Sequence, residues 1–252
     1  ALSFYPDSGF VSYRDPAEDV TLTVHCAPFV GYHAYHAAQG PCDRIGLTPG
    51  SGHFMLALGA EPLLVTPDSG YALTTKLRSC LLIDDQGQYG GIGYPMSIPS
   101  KIDRGEEIQF ARWDAATNTG RIRLNLAPAY PEDLGLTHYT RDFLLQPGKS
   151  IICRDHVVLD SPRKLSWLFQ GKRENGLTLL EGLRGCFGDE PTLCITPLSS
   201  LALSAGIQQT PVVWSYASMS GFKPFDHLRY DALVPVTIAI VDFVLTWDGL
   251  GK

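Results

Sequence analysis

Short apolar runs in which every second residue is hydrophobic recur along the whole chain. In residues 120–126 (GRIRLNL), Ile122, Leu124 and Leu126 alternate with polar residues, which is the pattern of a strand with one buried face. Comparable runs occupy residues 20–26, 53–58, 62–66, 79–84, 107–113, 140–145, 150–159, 164–170, 177–182, 192–196, 200–205, 212–217 and 236–247. About fourteen such strands, separated by turn signals, predict two packed antiparallel sheets.

The composition favours sheets over long helices. Gly (25) and Pro (18) supply many turns, and charged residues make up only 18%, too few for long solvated helices. We therefore predict an all-β fold, a two-layer antiparallel β-sandwich of the supersandwich or jelly-roll kind, with few or no long helices. We expect one domain over residues 1–252, with a long functional loop at 27–52 and a sub-boundary near 171–176.

The charge distribution argues against two classes of partner. The net charge is −6 and no run of Lys or Arg occurs, whereas nucleic-acid binding needs a basic face. Pro235, Thr237 and Asp242 interrupt the longest apolar stretch, so we expect no membrane partner. The N-terminus lacks a signal-peptide pattern and enters strand-like sequence at once, so we expect a processed or excised piece of a longer protein.

The six cysteines do not form a CxxC motif, which argues against a zinc ribbon or a thioredoxin-like site. Cys186 and Cys194 bracket a predicted hairpin loop and could pair in an oxidising compartment. The alternative is that the cysteines are small buried residues.

Residues 27–52 interrupt the strand pattern with a long connection that carries His33 and His36 beside two tyrosines. Long ordered loops on a sheet scaffold often carry function. Two interpretations stay open from the spacing alone. The imidazoles could converge with a carboxylate on a metal ion, or they could anchor the loop through hydrogen bonds.

Several motifs in the first two thirds of the chain resemble one family. In chain order they are GYHAYH (31–36), GHFMLALGAEPLLVTPDSGY (52–71), LRSCLLIDDQGQ (77–88), APAYPEDL (127–134) and THYTRDFLLQPGKSIICRDHV (137–157). This order resembles the C-terminal β-sandwich domain of heparinase II/III-like polysaccharide lyases, a group related to alginate lyases. The resemblance covers roughly residues 8–160, with a looser tail to about 247.

The resemblance implies a function and two partners. In that family the sandwich packs against a helical toroid, and the cleft between them binds an acidic polysaccharide such as a glycosaminoglycan or alginate. Cleavage is a β-elimination that needs a base and a group that neutralises the uronate. Our candidate catalytic residues are His36, which the resemblance implies, together with Tyr71 and Arg78. Our candidate substrate-binding residues are His33, Tyr35, Arg78 and Tyr89. We also expect secretion or a periplasmic location.

The family's structural metal site is only partly matched. His36 falls on the His of the loop motif, but Thr66 stands in place of the expected Asp and Arg78 in place of the expected His. A structural divalent metal, Zn or Ca, would then need a different set. Our prediction is His36, His53 and Asp68, with Asp43 as the alternative carboxylate.

Arg78 has two interpretations, because a guanidinium does not ligate zinc but matches a carboxylate or sulfate well. It contacts an anionic sugar, or it forms an internal pair with Asp68 that replaces the metal. The function therefore has two candidates. One is a lyase module that needs a separate toroid domain and is inactive alone. The other is a non-catalytic carbohydrate-binding or structural sandwich.

Other polar and aromatic residues are assigned structural roles. We expect Arg141 and Asp155 to pair or cap, and His138 and His156 to be surface or packing residues. Trp113, Trp167, Trp214 and Trp247 are predicted to pack in the core rather than to stack on sugar.

Overall fold

A computed structural model describes residues 1–15, 17–26, 50–65, 75–89, 105–171, 176–210 and 225–248. Within these ranges the chain forms seventeen strands, and its helical residues are confined to three-residue 3-10 turns. The strands are β1 (Leu2–Tyr5), β2 (Phe10–Asp15), β3 (Val20–His25), β4 (Phe54–Leu58), β5 (Glu61–Leu64), β6 (Leu81–Ile83), β7 (Glu107–Asp114), β8 (Thr119–Asn125), β9 (Leu136–Gln146), β10 (Ser150–Arg163), β11 (Leu165–Gln170), β12 (Leu177–Leu179), β13 (Gly185–Phe187), β14 (Thr192–Leu198), β15 (Leu203–Thr210), β16 (Phe225–Ala232) and β17 (Val236–Asp248).

These strands form three antiparallel sheets. The first has the order β1-β2-β3-β4-β5, the second β12-β13-β14-β17-β10-β9-β8-β7, and the third β15-β16-β11-β6. Leu64 at the end of β5 bridges Gly171 just after β11, and the Val65 amide donates to the Gln170 carbonyl at 3.1 Å. The first and third sheets are therefore connected by backbone contacts between the end of β5 and the end of β11.

The core follows directly from the period-two pattern. In β3 the side chains of Val20, Leu22 and Val24 are fully buried, while the residues between them are only partly buried. Buried apolar residues from all three sheets form one contiguous cluster, in which the rings of Trp167 and Phe243 are in contact with their centroids 5.9 Å apart. The predicted all-β sandwich is confirmed.

Individual strand predictions differ in their accuracy. The predicted run at 177–182 forms a strand only over Leu177–Leu179, because a 3-10 turn with Gly182 at φ 70° follows it. Strands β1, β2, β13 and β16 were not predicted. In β2 burial alternates regularly, but the residue types at its ends do not follow it: Phe10 is 39% exposed, while Asp15 is buried and accepts from the Gly148 amide.

The tryptophan prediction is correct at one position and wrong at another. Trp167 is fully buried, as predicted, whereas Trp113 is 38% exposed because it lies on the edge strand β7, where its ring stacks on Tyr13. Trp247 is partly buried against the core and Trp214 lies outside the described residues. None of the helical segments in the described ranges has the length and hydrophobicity that a membrane span requires.

Cys186 and Cys194 form a disulfide between directly opposed residues of β13 and β14. The thiols of Cys26, Cys80 and Cys153 are buried, while Cys42 lies outside the described residues. Both interpretations of the cysteines therefore hold, each for a different part of the set.

Candidate functional site

Two histidines lie side by side at one end of the five-stranded sheet. His25 is the last residue of β3, and His53 immediately precedes β4. The His25 amide donates to the His53 carbonyl at 3.0 Å, and the Gly52 amide donates to the His25 carbonyl at 2.8 Å. These bonds continue the ladder of β3 and β4, so both side chains are held by sheet backbone rather than by a loop.

His53 is a buried neutral imidazole with a defined tautomer. Its Nδ1 accepts a hydrogen bond from the Ser79 amide at 2.9 Å, and its exposed fraction is 6%. A backbone amide can only donate, so Nδ1 carries the lone pair and Nε2 carries the proton. Burial, and after it the nearby charge of Arg78, holds the pKa of His53 well below its usual range.

Arg78 supplies a buried positive charge beside these imidazoles. The residue is 7% exposed, its Nη1 donates to the Leu77 carbonyl at 2.9 Å, and a Cβ placed on Gly50 would lie 3.4 Å from its Cδ and Nε. Burial lowers the pKa of Arg78, but a guanidinium remains protonated at neutral pH. No Asp or Glu in the described part of the chain forms an ion pair with it.

The pKa of His25 is lowered by the same two causes as that of His53. Burial and the charge of Arg78 lower it to about 4, although a hydrogen bond to the Gly50 backbone opposes the shift. The cluster of His25, His53 and Arg78 therefore carries one positive charge and two neutral rings at neutral pH. Among the described residues this guanidinium has no carboxylate partner; burying a guanidinium unpaired is costly, and an anion bound beside it would offset that cost.

A polar side chain holds the backbone between Gly50 and His53. Gln88 accepts from the Ser51 amide at 3.0 Å and donates to the Ser51 carbonyl at 2.6 Å, so its amide group bonds both backbone atoms of one residue. The backbone N–H of Gln88 donates to Thr75 Oγ1 at 2.8 Å. Both side chains are buried, which makes this pairing a rigid support for the site.

A second support comes from the core of the eight-stranded sheet. Arg141 forms a two-point ion pair with Asp155, and its Nη1 also donates to the carbonyls of Gly52 and Ser79 at 2.8 Å each. Asp155 also accepts from the Tyr139 hydroxyl at 2.9 Å and from Trp167 Nε1 at 3.0 Å. Arg141 thus ties the residue before His53 and the residue after Arg78 to one buried carboxylate.

Three of the predicted site residues lie in the described ranges: His53, Arg78 and Tyr89. His53 and Arg78, which were assigned to different roles, lie in one cluster. Tyr89 is tied to the turn after β8, since its amide donates to the Ala129 carbonyl at 3.0 Å and its hydroxyl accepts from the Glu132 amide. The predictions for His33, Tyr35, His36, Asp68 and Tyr71, and for Thr66 and Asp43, fall outside the described residues.

The hydrogen bonding of His53 does not suit the predicted metal site. A histidine that ligates a metal donates its other ring N–H to an acceptor. In His53 that nitrogen accepts from Ser79, so metal on Nε2 would require an imidazolate. Among the described residues no group of three His, Cys, Asp or Glu side chains is placed to hold a metal ion.

Sequence reasoning missed His25 and Gln88 as parts of the site, and it assigned Arg141 and Asp155 only a generic pairing. The prediction that these two residues pair is confirmed. Arg141 shares a strand face with the buried Tyr139 and Phe143, and Asp155 shares one with the buried Cys153 and Val157. His138 is exposed and His156 partly buried, and their rings contact each other at 4.8 Å, as expected for surface and packing residues.

Solved structures share this fold at low sequence identity. Heparinase III matches with a TM-score of 0.72 and 10% identity over 99% of this chain. The heparan sulfate lyase HepC from Pedobacter heparinus matches with a TM-score of 0.68 and 15% identity over 100% of this chain. In both cases the match covers only 37% of the other protein. No protein-family model matches the chain, and no curated protein matches it in sequence.

Proposed function

We propose that the chain is the β-sandwich module of a polysaccharide lyase that acts on uronic-acid-containing polysaccharide. The observation that carries the proposal is the buried Arg78 guanidinium, which has no carboxylate partner among the described residues and lies near two neutral imidazoles. The fold shared with heparinase III supports the proposal. Because the chain spans about a third of those proteins, its activity and partners are proposals.

Arg78 would perform the charge neutralisation that β-elimination requires. A base removes the proton at C5 of the uronate, the electron pair forms the C4–C5 double bond, and the C4–O bond breaks as the leaving oxygen gains a proton. Negative charge develops on the uronate carboxylate in the transition state, and a guanidinium held in a water-poor site stabilises it. The rigid support from Gln88 and Arg141 keeps this group in position.

The base would come from outside the described cluster. His25 has a pKa of about 4 and the pKa of His53 is also low, so both are weak proton acceptors near neutral pH. The predicted candidates within the chain are His36 and Tyr71, and the second source is a helical toroid domain of the parent protein. We therefore predict that the chain alone binds the acidic polysaccharide but does not cleave it.

Calorimetric titration with an unsulfated heparosan hexasaccharide tests the proposal. The wild-type chain should bind it, and reduction of the uronate carboxyl groups to alcohols should weaken binding about tenfold or more, the loss of one charged contact. Equal affinity for the native and carboxyl-reduced sugars would exclude uronate recognition. Arg112→Met, which removes a guanidinium on the exposed side of β7, is the matched control and should leave affinity unchanged.

A second candidate is a carbohydrate-binding sandwich without catalysis. The tautomer of His53 favours it, since the predicted metal ligand is bonded in a way that opposes metal binding. Ultraviolet absorbance of unsaturated uronate, measured with the parent-length protein, separates the two. Product formation supports the lyase, whereas binding without product supports the second candidate.

The location of the protein remains a prediction. The disulfide between Cys186 and Cys194 supports a secreted or periplasmic protein, because such bonds persist in oxidising compartments.

A further inference from the structure

A row of aromatic side chains crosses the outer face of the five-stranded sheet and ends at the site. Tyr5 of β1 is directly opposite Phe10 of β2, and Phe10 is directly opposite His25 of β3. Opposed residues of antiparallel strands project to the same face of a sheet. The rings of Phe10 and His25 are in contact, with their centroids 4.5 Å apart.

Exposure falls steadily along this row. Tyr5 is 55% exposed, Phe10 is 39% exposed, His25 is partly buried, and His53, which continues the register beyond His25, is 6% exposed. The row therefore leads from open surface to the buried charge of Arg78. With strands spaced about 4.8 Å apart, the three steps span about 15 Å, which is the reach of a short oligosaccharide.

The backbone that carries the row is tightly fixed. The turn between β1 and β2 is a 3-10 turn at Pro6–Ser8 that ends at Gly9, where φ is 66°. The Gly9 amide donates to the Pro6 carbonyl, and the Gly9 carbonyl accepts from the Cys26 amide at 2.9 Å. The end of β3 and the turn that presents Tyr5 and Phe10 are thus bonded directly, so the rings are preorganised relative to His25.

We propose that Tyr5 and Phe10 form a stacking platform for the pyranose rings of an acidic oligosaccharide whose uronate is held at Arg78. The proposal rests on the proposed function and adds a subsite to it. The C–H face of a pyranose ring packs on an aromatic face, while its hydroxyl groups stay in water, which suits rings that are half exposed. Arg78 selects the charge, and the platform selects the length of the sugar chain.

Calorimetry with heparosan oligosaccharides of two lengths tests the platform. Phe10→Ala and Tyr5→Ala should each weaken hexasaccharide binding about tenfold, while binding of a disaccharide, which occupies only the Arg78 end, should stay within about twofold of wild type. Phe10→Tyr keeps the aromatic face and should keep affinity. Ile240→Ala, at a residue 54% exposed in β17, is the control matched in exposure and should change neither affinity.

The outcomes separate the platform from the proposed function. Absence of hexasaccharide binding by the wild-type chain would defeat both. Binding that Arg78→Met abolishes but that Phe10→Ala and Tyr5→Ala leave unchanged would overturn the platform alone and indicate that these rings pack against another part of the parent protein. If Phe10→Ala fails to fold, Phe10→Leu keeps the apolar volume without the aromatic face and should show the same loss.

Discussion

Arg141 and Asp155 are directly opposed residues of β9 and β10, and their side chains meet in the core through two bonds of 2.7 Å. Both are almost completely buried, with exposed side-chain fractions of 1% and 0%. The spare donor of Arg141 reaches the carbonyls of Gly52 and Ser79, on either side of the cluster formed by His25, His53 and Arg78. This ion pair in the core thus positions the backbone next to His53 and Arg78.

Removing one member of this ion pair should greatly reduce the free energy of unfolding. Arg141→Met leaves the Asp155 carboxylate buried without its counter-ion, so we expect a loss of about 3–5 kcal/mol in the free energy of unfolding, measured by urea denaturation. Arg154→Met is the matched control, since its pair with Asp242 is 46% and 20% exposed and should be worth at most about 1 kcal/mol. Similar losses in the two variants would contradict the role given to Arg141.

Gly52 should tolerate no side chain. Its φ is +82°, and a Cβ there would lie 2.6 Å from Leu126 Cδ1, so Gly52→Ala combines backbone strain with a clash. We expect a loss of about 2 kcal/mol in the free energy of unfolding. Gly206→Ala in β15, where nothing lies within 4 Å of the added Cβ, should stay within about 0.5 kcal/mol of wild type. A neutral Gly52→Ala would show that this backbone is free to move.

The buried histidines should make the fold sensitive to mild acid. The folded-state pKa of His25 is about 4, below the ordinary 6.5, because burial and Arg78 oppose its protonation. The unfolded chain therefore binds more protons, and stability is lost as pH falls from about 6.5 towards 4. The shift of His25 corresponds to about 3 kcal/mol at pH 4. His25→Asn should flatten this part of the stability profile, and an unchanged profile would refute the assignment.

The disulfide between Cys186 and Cys194 should stabilise the fold by linking two adjacent strands. It closes a short loop between adjacent strands, so Cys186→Ser combined with Cys194→Ser should cost about 2–3 kcal/mol of unfolding free energy. Peptide mapping after alkylation without reduction should recover the two cysteines as one linked peptide. Recovery of both as alkylated thiols from protein produced in an oxidising compartment would argue against the bond.

The sheet fold could be predicted from sequence because its signal is local. Alternation in β3 and β8 is visible within six or seven residues, whatever the rest of the chain does. The site could be predicted only in part, through Arg78 and His53. That His25 lies beside His53 depends on how the chain returns to the sheet, and the bonds from Arg141 join residues separated by 89 and 62 positions. Contacts between residues so far apart in the chain produce no periodic pattern in the sequence, so they cannot be predicted from it.

Arg78 binds either an anionic sugar or an internal carboxylate, and one variant distinguishes the two with two measurements. Arg78→Met keeps the apolar packing beside Gly50 but removes the charge. If the guanidinium binds the carboxylate of an anionic sugar, the free energy of unfolding of the variant should equal or exceed that of wild type. Its affinity for the heparosan hexasaccharide should fall about tenfold or more. A loss of about 3 kcal/mol or more in unfolding free energy with unchanged affinity would show that Arg78 serves an internal pair instead.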